Sequence, residues 1–397
     1  MDTEPSMNQG RVPRRVLVVT GEASGDLHGA NLIRAARDVD PGLSFFGIGG
    51  SRMRAAGCEI IFPAEDLAVM GLVEVLGRLP TIRRAFRRLK GALQGEQRPD
   101  LVILIDYPGF NLRFAREAKR AGIPVLYYIG PKVWAWKRGR VRTIAARVDK
   151  LALIFPFEPV LYQGLGLDVE YVGNPLLDEY RRDQERPEFL AGHGLDPGLP
   201  VVGLFPGSRA SEFRYMFDTL LQSARLLDDR GVARQFLMPV APGVDRYILA
   251  DRIAAAGLSI ALVEANIYDV AAACDAILCV SGTVTLQAAL AGTPLAILYK
   301  GATLTYEVGR RLIRIDHFGL PNIVAGREVA REFLQDAASP EALAAEIERL
   351  LQDQAYRQNA LTGLAAVRER LGARGCSRRV AEIAVEMVTT SKTKGTS

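Results

Sequence analysis

Long apolar runs are missing from this chain of 397 residues. Nothing in it approaches the roughly eighteen consecutive apolar side chains that a membrane-spanning helix needs, so any contact with a bilayer is expected to be peripheral. Cysteine is scarce: Cys58, Cys274, Cys279 and Cys376 show no CxxC spacing, which argues against a disulfide framework and for reduced thiols in a cytosolic setting. Histidine is scarcer still. His28, His193 and His317 have no partner at metal-ligand spacing, so no metal site is expected. The charge excess, +5, is too small to argue for nucleic acid. The first fifteen residues lack an apolar core and do not read as a secretory signal. Two nucleotide motifs also fail. No Gly-Lys-Ser/Thr follows Gly25, and Phe46-Gly47-Ile48-Gly49-Gly50 has Met53 where a dinucleotide fingerprint would put its third glycine.

What the chain does have is alternation. Short apolar runs (Val16–Thr20, Leu43–Ile48, Leu101–Ile105, Val125–Ile129, Leu151–Phe155) are separated by amphipathic helical stretches. That is the pattern of βαβ units around a parallel sheet. A charged, proline-containing stretch at 176–199 interrupts it and reads as a linker. A second series follows, at Val201–Phe205, Gln235–Pro239, Ile260–Val263, Ala276–Val280 and Pro294–Tyr299. The expected fold class is α/β: two Rossmann-like, doubly wound parallel-sheet domains, at 14–175 and 200–363, facing a cleft.

Several strand ends carry unusual residues. Leu101–Ile105 reads as a strand buried on both faces and ends in Asp106, where an open parallel sheet presents residues to a ligand; an aspartate there can also simply organise its own turn. Asn111 is positioned to cap the helix after it. Val16–Thr20 enters the turn Gly21-Glu22-Ala23-Ser24-Gly25-Asp26, a strand-turn-helix geometry that offers backbone amides to an anion. Ser24 and Asp26 can cap that helix or face a ligand; Glu22 has no evident local task. Both tryptophans, Trp134 and Trp136, fall in one window after Val125–Ile129 and suit a wall for an apolar or sugar ring.

In the second half, Pro206-Gly207-Ser208-Arg209 puts an arginine beside a helix start near Ser211, a clamp for a diphosphate. Ser281-Gly282-Thr283 opens a helix of small residues that a phosphate can approach closely, with Gln287 one turn on, within reach of a ribose hydroxyl. Two anion sites in one domain point to a nucleoside diphosphate. Between Glu74 and Glu96 the chain has six basic residues and no acidic one. Arg83, Arg84, Arg87 and Arg88 share a helical face beside apolar Met70, Leu72 and Leu76. This is the composition of a segment lying on an anionic membrane, or of a solvated basic face.

Taken together, these residues resemble the lipid-A-disaccharide synthases, glycosyltransferases of the two-Rossmann-domain (GT-B) type. The likeness rests on Gly21 to Asp26, Gly47-Ile48-Gly49-Gly50, Ile105-Asp106-Tyr107-Pro108 to Asn111, Val133-Trp134-Ala135-Trp136, Phe155-Pro156-Phe157-Glu158, Pro206 to Arg209, Ser281-Gly282-Thr283, and Leu320-Pro321-Asn322-Ile323 with Ala325-Gly326-Arg327. It departs from the family pattern at Gln287 (commonly Glu), Gly130 (Ser) and Asn174. The resemblance implies an inverting, metal-independent transfer of diacylglucosamine from UDP-diacylglucosamine to the 6-hydroxyl of diacylglucosamine 1-phosphate. It also implies peripheral attachment at the cytoplasmic face of a bacterial inner membrane. No cofactor is implied, the UDP-sugar being a substrate, and the oligomeric state stays open.

Inversion requires a carboxylate to take the acceptor proton. Asp106 is assigned this role, with Glu22 as second base or acceptor ligand. Ser208, Arg209, Ser281, Gly282, Thr283 and Gln287 are expected at the donor; Ser24, Asp26, Trp134, Trp136 and Asn322 at the acceptor. A helix within 364–390 is expected to return to the first domain, as in similar transferases. The rival readings are another UDP-sugar transferase or an epimerase of similar architecture, and a non-catalytic nucleotide-sugar-binding protein. Acids at two strand ends favour catalysis, and the tryptophan window favours an amphiphilic sugar.

Overall fold

The computed structural model describes residues 14–67, 79–95, 97–135, 139–302 and 316–393. The chain divides into two compact units, one comprising residues up to Asp178 together with Arg374 onward, the other Glu179–Ala373.

The first unit begins with β1 (Arg14–Val19), α1 (Ala23–Val39), β2 (Leu43–Gly49), α2 (Ser51–Ala55), β3 (Cys58–Pro63) and α3 (Leu79–Gly91). There follow β4 (Leu101–Ile105), α4 (Pro108–Arg120), β5 (Val125–Tyr128), α5 (Arg140–Ala145), β6 (Lys150–Leu153) and β7 (Asp168–Tyr171). The strands form one parallel sheet in the order β3-β2-β1-β4-β5-β6-β7. Period-two alternation splits its side chains between two cores. Leu17, Val19, Val102, Leu104 and Tyr127 pack with Ala85 and Leu89 of α3 and Phe114 and Ala118 of α4. Val16, Val18, Leu101, Ile103 and Tyr128 face the other way, onto Leu32, Ile33 and Ala36 of α1. Burial on both faces is why the central strands read as unbroken apolar runs. The edge strands β3 and β7 were not expected, because Cys58-Glu59 and Asp168-Val169-Glu170 break any such run.

The segment 176–199, expected as a linker, holds the boundary between the units at Asp178–Glu179 but is largely structured. It contributes to α6 (Pro175–Glu179) and contains α7 (Arg186–Gly192), burying Leu176 and Leu177 at one end and Phe189 and Leu190 at the other. Arg186 anchors it, donating to the Ala273 carbonyl and pairing with Asp275 at 2.8 Å.

The second unit contains β8 (Val201–Phe205), α8 (Ala210–Asp229), β9 (Gln235–Pro239), α9 (Arg246–Ala255), β10 (Ile260–Val263), α10 (Ile267–Ala273), β11 (Ala276–Val280), α11 (Thr283–Ala291) and β12 (Leu295–Tyr299). It continues through α12 (Leu320–Ala325), β13 (Glu332–Leu334), α13 (Pro340–Gln352) and α14 (Gln354–Arg370). Its parallel sheet has the order β10-β9-β8-β11-β12-β13. Val202, Leu204, Met238, Leu278 and Leu298 pack on α8 and α13.

Residues 364–370 belong to α14 in this unit. The return to the first unit is made by α15 (Cys376–Thr393), whose Val380, Ala381, Ile383, Ala384 and Val388 join the core under α1. Asp178 caps it, accepting from the Gly375 and Ser377 amides at 2.6 and 2.9 Å. Arg379 of α15 grips Glu170 of β7 with two hydrogen bonds.

Candidate active site

In an open parallel sheet the ligand crevice lies beyond the carboxyl ends of two neighbouring strands whose connections leave in opposite directions. In the first unit those strands are β1 and β4, and the turns after them are the ones carrying Glu22 and Asp106. Glu22 is the exposed N-terminal cap position of α1, yet its side chain makes no capping hydrogen bond.

Asp106 and Tyr107 both adopt left-handed backbone, at φ 46° and 49°, a conformation that is costly for residues with a Cβ and is concentrated at functional sites. The surroundings enforce it. The Asp106 N–H donates to the Tyr128 carbonyl, and its own carbonyl accepts from Tyr127 Oη at 2.6 Å and Asn111 Nδ2 at 2.7 Å. Asn111 therefore does not cap α4. Pro108 starts that helix three residues earlier, a favoured first position for proline, and Asn111 instead serves the carbonyls of the strand end. A third left-handed residue, the β-branched Ile129 (φ 60°), directly follows the neighbouring β5.

Burial pushes the Asp106 carboxyl above the ordinary carboxylate range, while Lys132, the Tyr107 amide and His28 pull it back. Neither Lys132 nor His28 stood out in the sequence. Each lies far along the chain from Asp106, and only the sheet order brings them near.

Two expected acceptor residues around this turn fare differently. Ser24 is exposed in the first turn of α1. Asp26 is buried, and its carboxylate accepts from the amides of Gly50 (2.6 Å), Arg52 (3.0 Å) and Met53 (3.1 Å). It caps α2 rather than a ligand, because those amides have no other partner at a helix start. Trp134 is half-buried and donates through Nε1 to Glu158 at 3.2 Å. Trp136 lies outside the described residues, as do Met70, Leu72 and Leu76 of the expected membrane patch. Arg83, Arg84, Arg87 and Arg88 are all exposed on α3, opposite buried Ala85 and Leu89. None of the four has an ion pair among the described residues.

In the second unit the corresponding strands are β8 and β11, and a cavity of about 330 Å³ opens at their ends. Ser208, Arg209, Ser281, Gly282, Thr283 and Gln287 all line it, so the six expected donor residues come together. Pro242, Ala265 and Ile267 add an apolar wall.

The arginine clamp is built differently from expectation. The helix starts at Ala210, and the amides of Ser208 and Arg209 are already bound by Glu212 Oε2, at 2.8 and 2.9 Å. Glu212 Oε1 takes Arg209 Nη1 at 3.1 Å. Gly207, at φ 88°, leaves room for that carboxylate; a Cβ there would overlap it. The signal for Glu212 was present as an acid at the third helical position. With these two amides engaged, the groups the cavity still offers to an anion are the Arg209 guanidinium and the amides at the α11 start, which the helix itself cannot satisfy. The Gln287 side chain is hydrogen-bonded to the Tyr268 hydroxyl.

Asn322 is fully buried. Its Nδ2 donates to the Ala330 carbonyl and Glu332 Oε1, and its Oδ1 accepts from the amides of Val329 and Ala330, at 2.6 to 2.9 Å. All four hydrogen-bonding positions of the amide are engaged. Asn322 ties α12 to β13 and has nothing left for an acceptor.

The family model of lipid-A-disaccharide synthetase matches residues 16–387. Lipid-A-disaccharide synthases of Syntrophotalea carbinolica and Geobacter sulfurreducens are 58% and 52% identical to the chain, over 96% and 94% of it and 97% of each relative. Solved structures share the fold at low identity. A UDP-GlcNAc 2-epimerase from Neisseria meningitidis bound to UDP-GlcNAc aligns over 94% of this chain and all of its own at TM-score 0.65 and 14% identity. A calicheamicin glycosyltransferase aligns over 95% and 98% at 0.60 and 16%. With the sequence motifs gathered at the two pairs of strand ends and relatives this similar along nearly the whole chain, the protein belongs to the lipid-A-disaccharide synthase family.

Proposed function

We propose that this glycosyltransferase joins UDP-2,3-diacylglucosamine to 2,3-diacylglucosamine 1-phosphate, giving lipid A disaccharide 1-phosphate and UDP. Asp106 takes the proton of the acceptor 6-hydroxyl as that oxygen bonds to C1 of the donor. The C1–O bond to UDP breaks, its electron pair leaves with the diphosphate, and the anomeric centre inverts. Arg209 and the amides at the start of α11 stabilise the charge that gathers on the leaving group. Gln287 faces the ribose, and Pro242, Ala265 and Ile267 suit the flat face of the base. Glu22 and Ser24 bind the acceptor sugar, and the Trp134 ring meets its apolar face.

The observation that supports these roles most directly is Asp106 itself, an acid on strained backbone at a strand end, with its carboxyl raised by burial. A general base works best with a pKa drawn toward the working pH, and burial supplies that shift. Attachment to the cytoplasmic face of the membrane is peripheral in this reading, through the exposed arginines of α3.

Incubation with both diacyl sugars tests the assignment, with UDP and product followed together. The reading expects one disaccharide per UDP released. UDP released without disaccharide, or an epimerised nucleotide sugar, overturns it.

A further inference from the structure

Glu158 lies in the turn after β6, 3% exposed, and has no ion pair among the described residues. Burying a carboxylate without a partner cation is costly, and a local turn could be closed by an uncharged side chain. This carboxylate reaches further. Oε2 accepts from the Phe155 amide at 3.1 Å, and Oε1 accepts from the indole Nε1 of Trp134, 24 residues away, at 3.2 Å. The same turn boxes the indole with two phenyl rings. Phe155 and Phe157 stand edge-on to Trp134 at 6.3 and 5.6 Å and stack on each other at 5.5 Å. The hydrogen bond fixes the remaining freedom, the rotation of the indole within that box. Lys132, two residues before Trp134, acts electrostatically on both Glu158 and Asp106, so one loop joins the base and this carboxyl.

We propose that Glu158 is a positioning residue for the acceptor, holding the Trp134 indole in its binding orientation without touching substrate. The proposal rests on the reading of Trp134 as part of the acceptor wall.

Burial places the Glu158 carboxyl at about 7, with the Phe155 amide, Trp134, the Ile154 amide and Lys132 pulling it down. The other titratable groups facing it are the phenols of Tyr162 and Tyr171, which its charge helps keep neutral. Near neutrality both forms are populated. The charged form accepts with two oxygens, whereas a proton on one of them weakens the bond to Trp134 or to Phe155.

The chain has two tryptophans, so Trp136→Phe, used only as a spectroscopic background, isolates Trp134. Its fluorescence should shift with a midpoint near pH 7, and Glu158→Gln should abolish that transition. In the otherwise unaltered protein, Glu158→Gln and Trp134→Phe should each raise the acceptor KM by about 3- to 10-fold, the worth of one hydrogen bond. The donor KM should be unchanged in both. The double variant should be no worse than either single one, since both remove the same contact. A fluorescence transition that survives Glu158→Gln, or KM effects that multiply, overturns the proposal. An unchanged acceptor KM in Trp134→Ala overturns the acceptor-wall reading, and the proposal with it, even where the fluorescence coupling is seen.

Discussion

The ring of Tyr107 closes directly over Gly21. A Cβ at position 21 would lie 2.5 Å from the ring carbons, so only glycine lets the turn after β1 meet the turn after β4. The Tyr107 hydroxyl continues the contact, donating to the Leu67 carbonyl at 3.2 Å, and its proton is held more tightly by burial and by the nearby charge of Glu22. This contact fixes the turn that carries Glu22 against the turn that carries Asp106.

Asp106→Ala should remove turnover by ~10²–10⁴-fold, the usual worth of a general base, while UDP affinity stays unchanged. Single-turnover assays with calorimetry of UDP binding check both. Near-normal turnover in Asp106→Ala together with a dead Glu22→Ala would move the base to Glu22.

The pH dependence follows from the same carboxyl. Its pKa is raised by burial and held down by Lys132, so activity should fall as pH drops through a value above the ordinary carboxylate range. Lys132→Met removes a stabilising charge from the ionised form and should move that acidic limb of kcat/KM further up. A limb that stays in place under Lys132→Met, measured also in Glu158→Gln to separate the second carboxyl, counts against Asp106 as the group observed.

Arg209→Ala should lose on the order of 10²–10³ in rate, as does removal of other positioned donors to a developing oxyanion, and should also weaken UDP binding. Calorimetry that finds UDP affinity unchanged would place Arg209 outside the donor site.

Asn322→Ala strips partners from the Val329 and Ala330 amides and the Ala330 carbonyl in a fully buried setting. Each unsatisfied buried group costs roughly 1–3 kcal/mol. A drop in the urea midpoint is expected, with the KM of the acceptor unchanged in the folded fraction. A raised acceptor KM at unaltered stability would restore Asn322 to the acceptor site.

Arg83, Arg84, Arg87 and Arg88 changed together to Ser should reduce cosedimentation with anionic vesicles, most visibly at low salt, since each surface charge contributes about 1 kcal/mol there. Activity on detergent-dispersed substrate should survive. Vesicle binding indifferent to both salt and substitution would leave these side chains as a solvated face.

The sequence alone determined the two α/β units, the parallel central strands and the turns that matter. Strands buried on both faces must be written as unbroken apolar runs, and the ligand turn must follow where such a run stops. That is why Asp106, Arg209 and Ser281 could be singled out before any contact was known. What a polar residue does at such a turn was decided only by tertiary structure. Asp26 is spent on amides 24 to 27 residues away, Asn322 mostly on the loop that follows its helix, and Glu212 on the amides expected to meet a phosphate. Glu158 stands in a motif of the sequence but has no role until its indole partner arrives from another strand end. A side chain has a fixed number of hydrogen bonds to give, and whether a ligand receives any depends on which backbone groups the fold has already brought within reach.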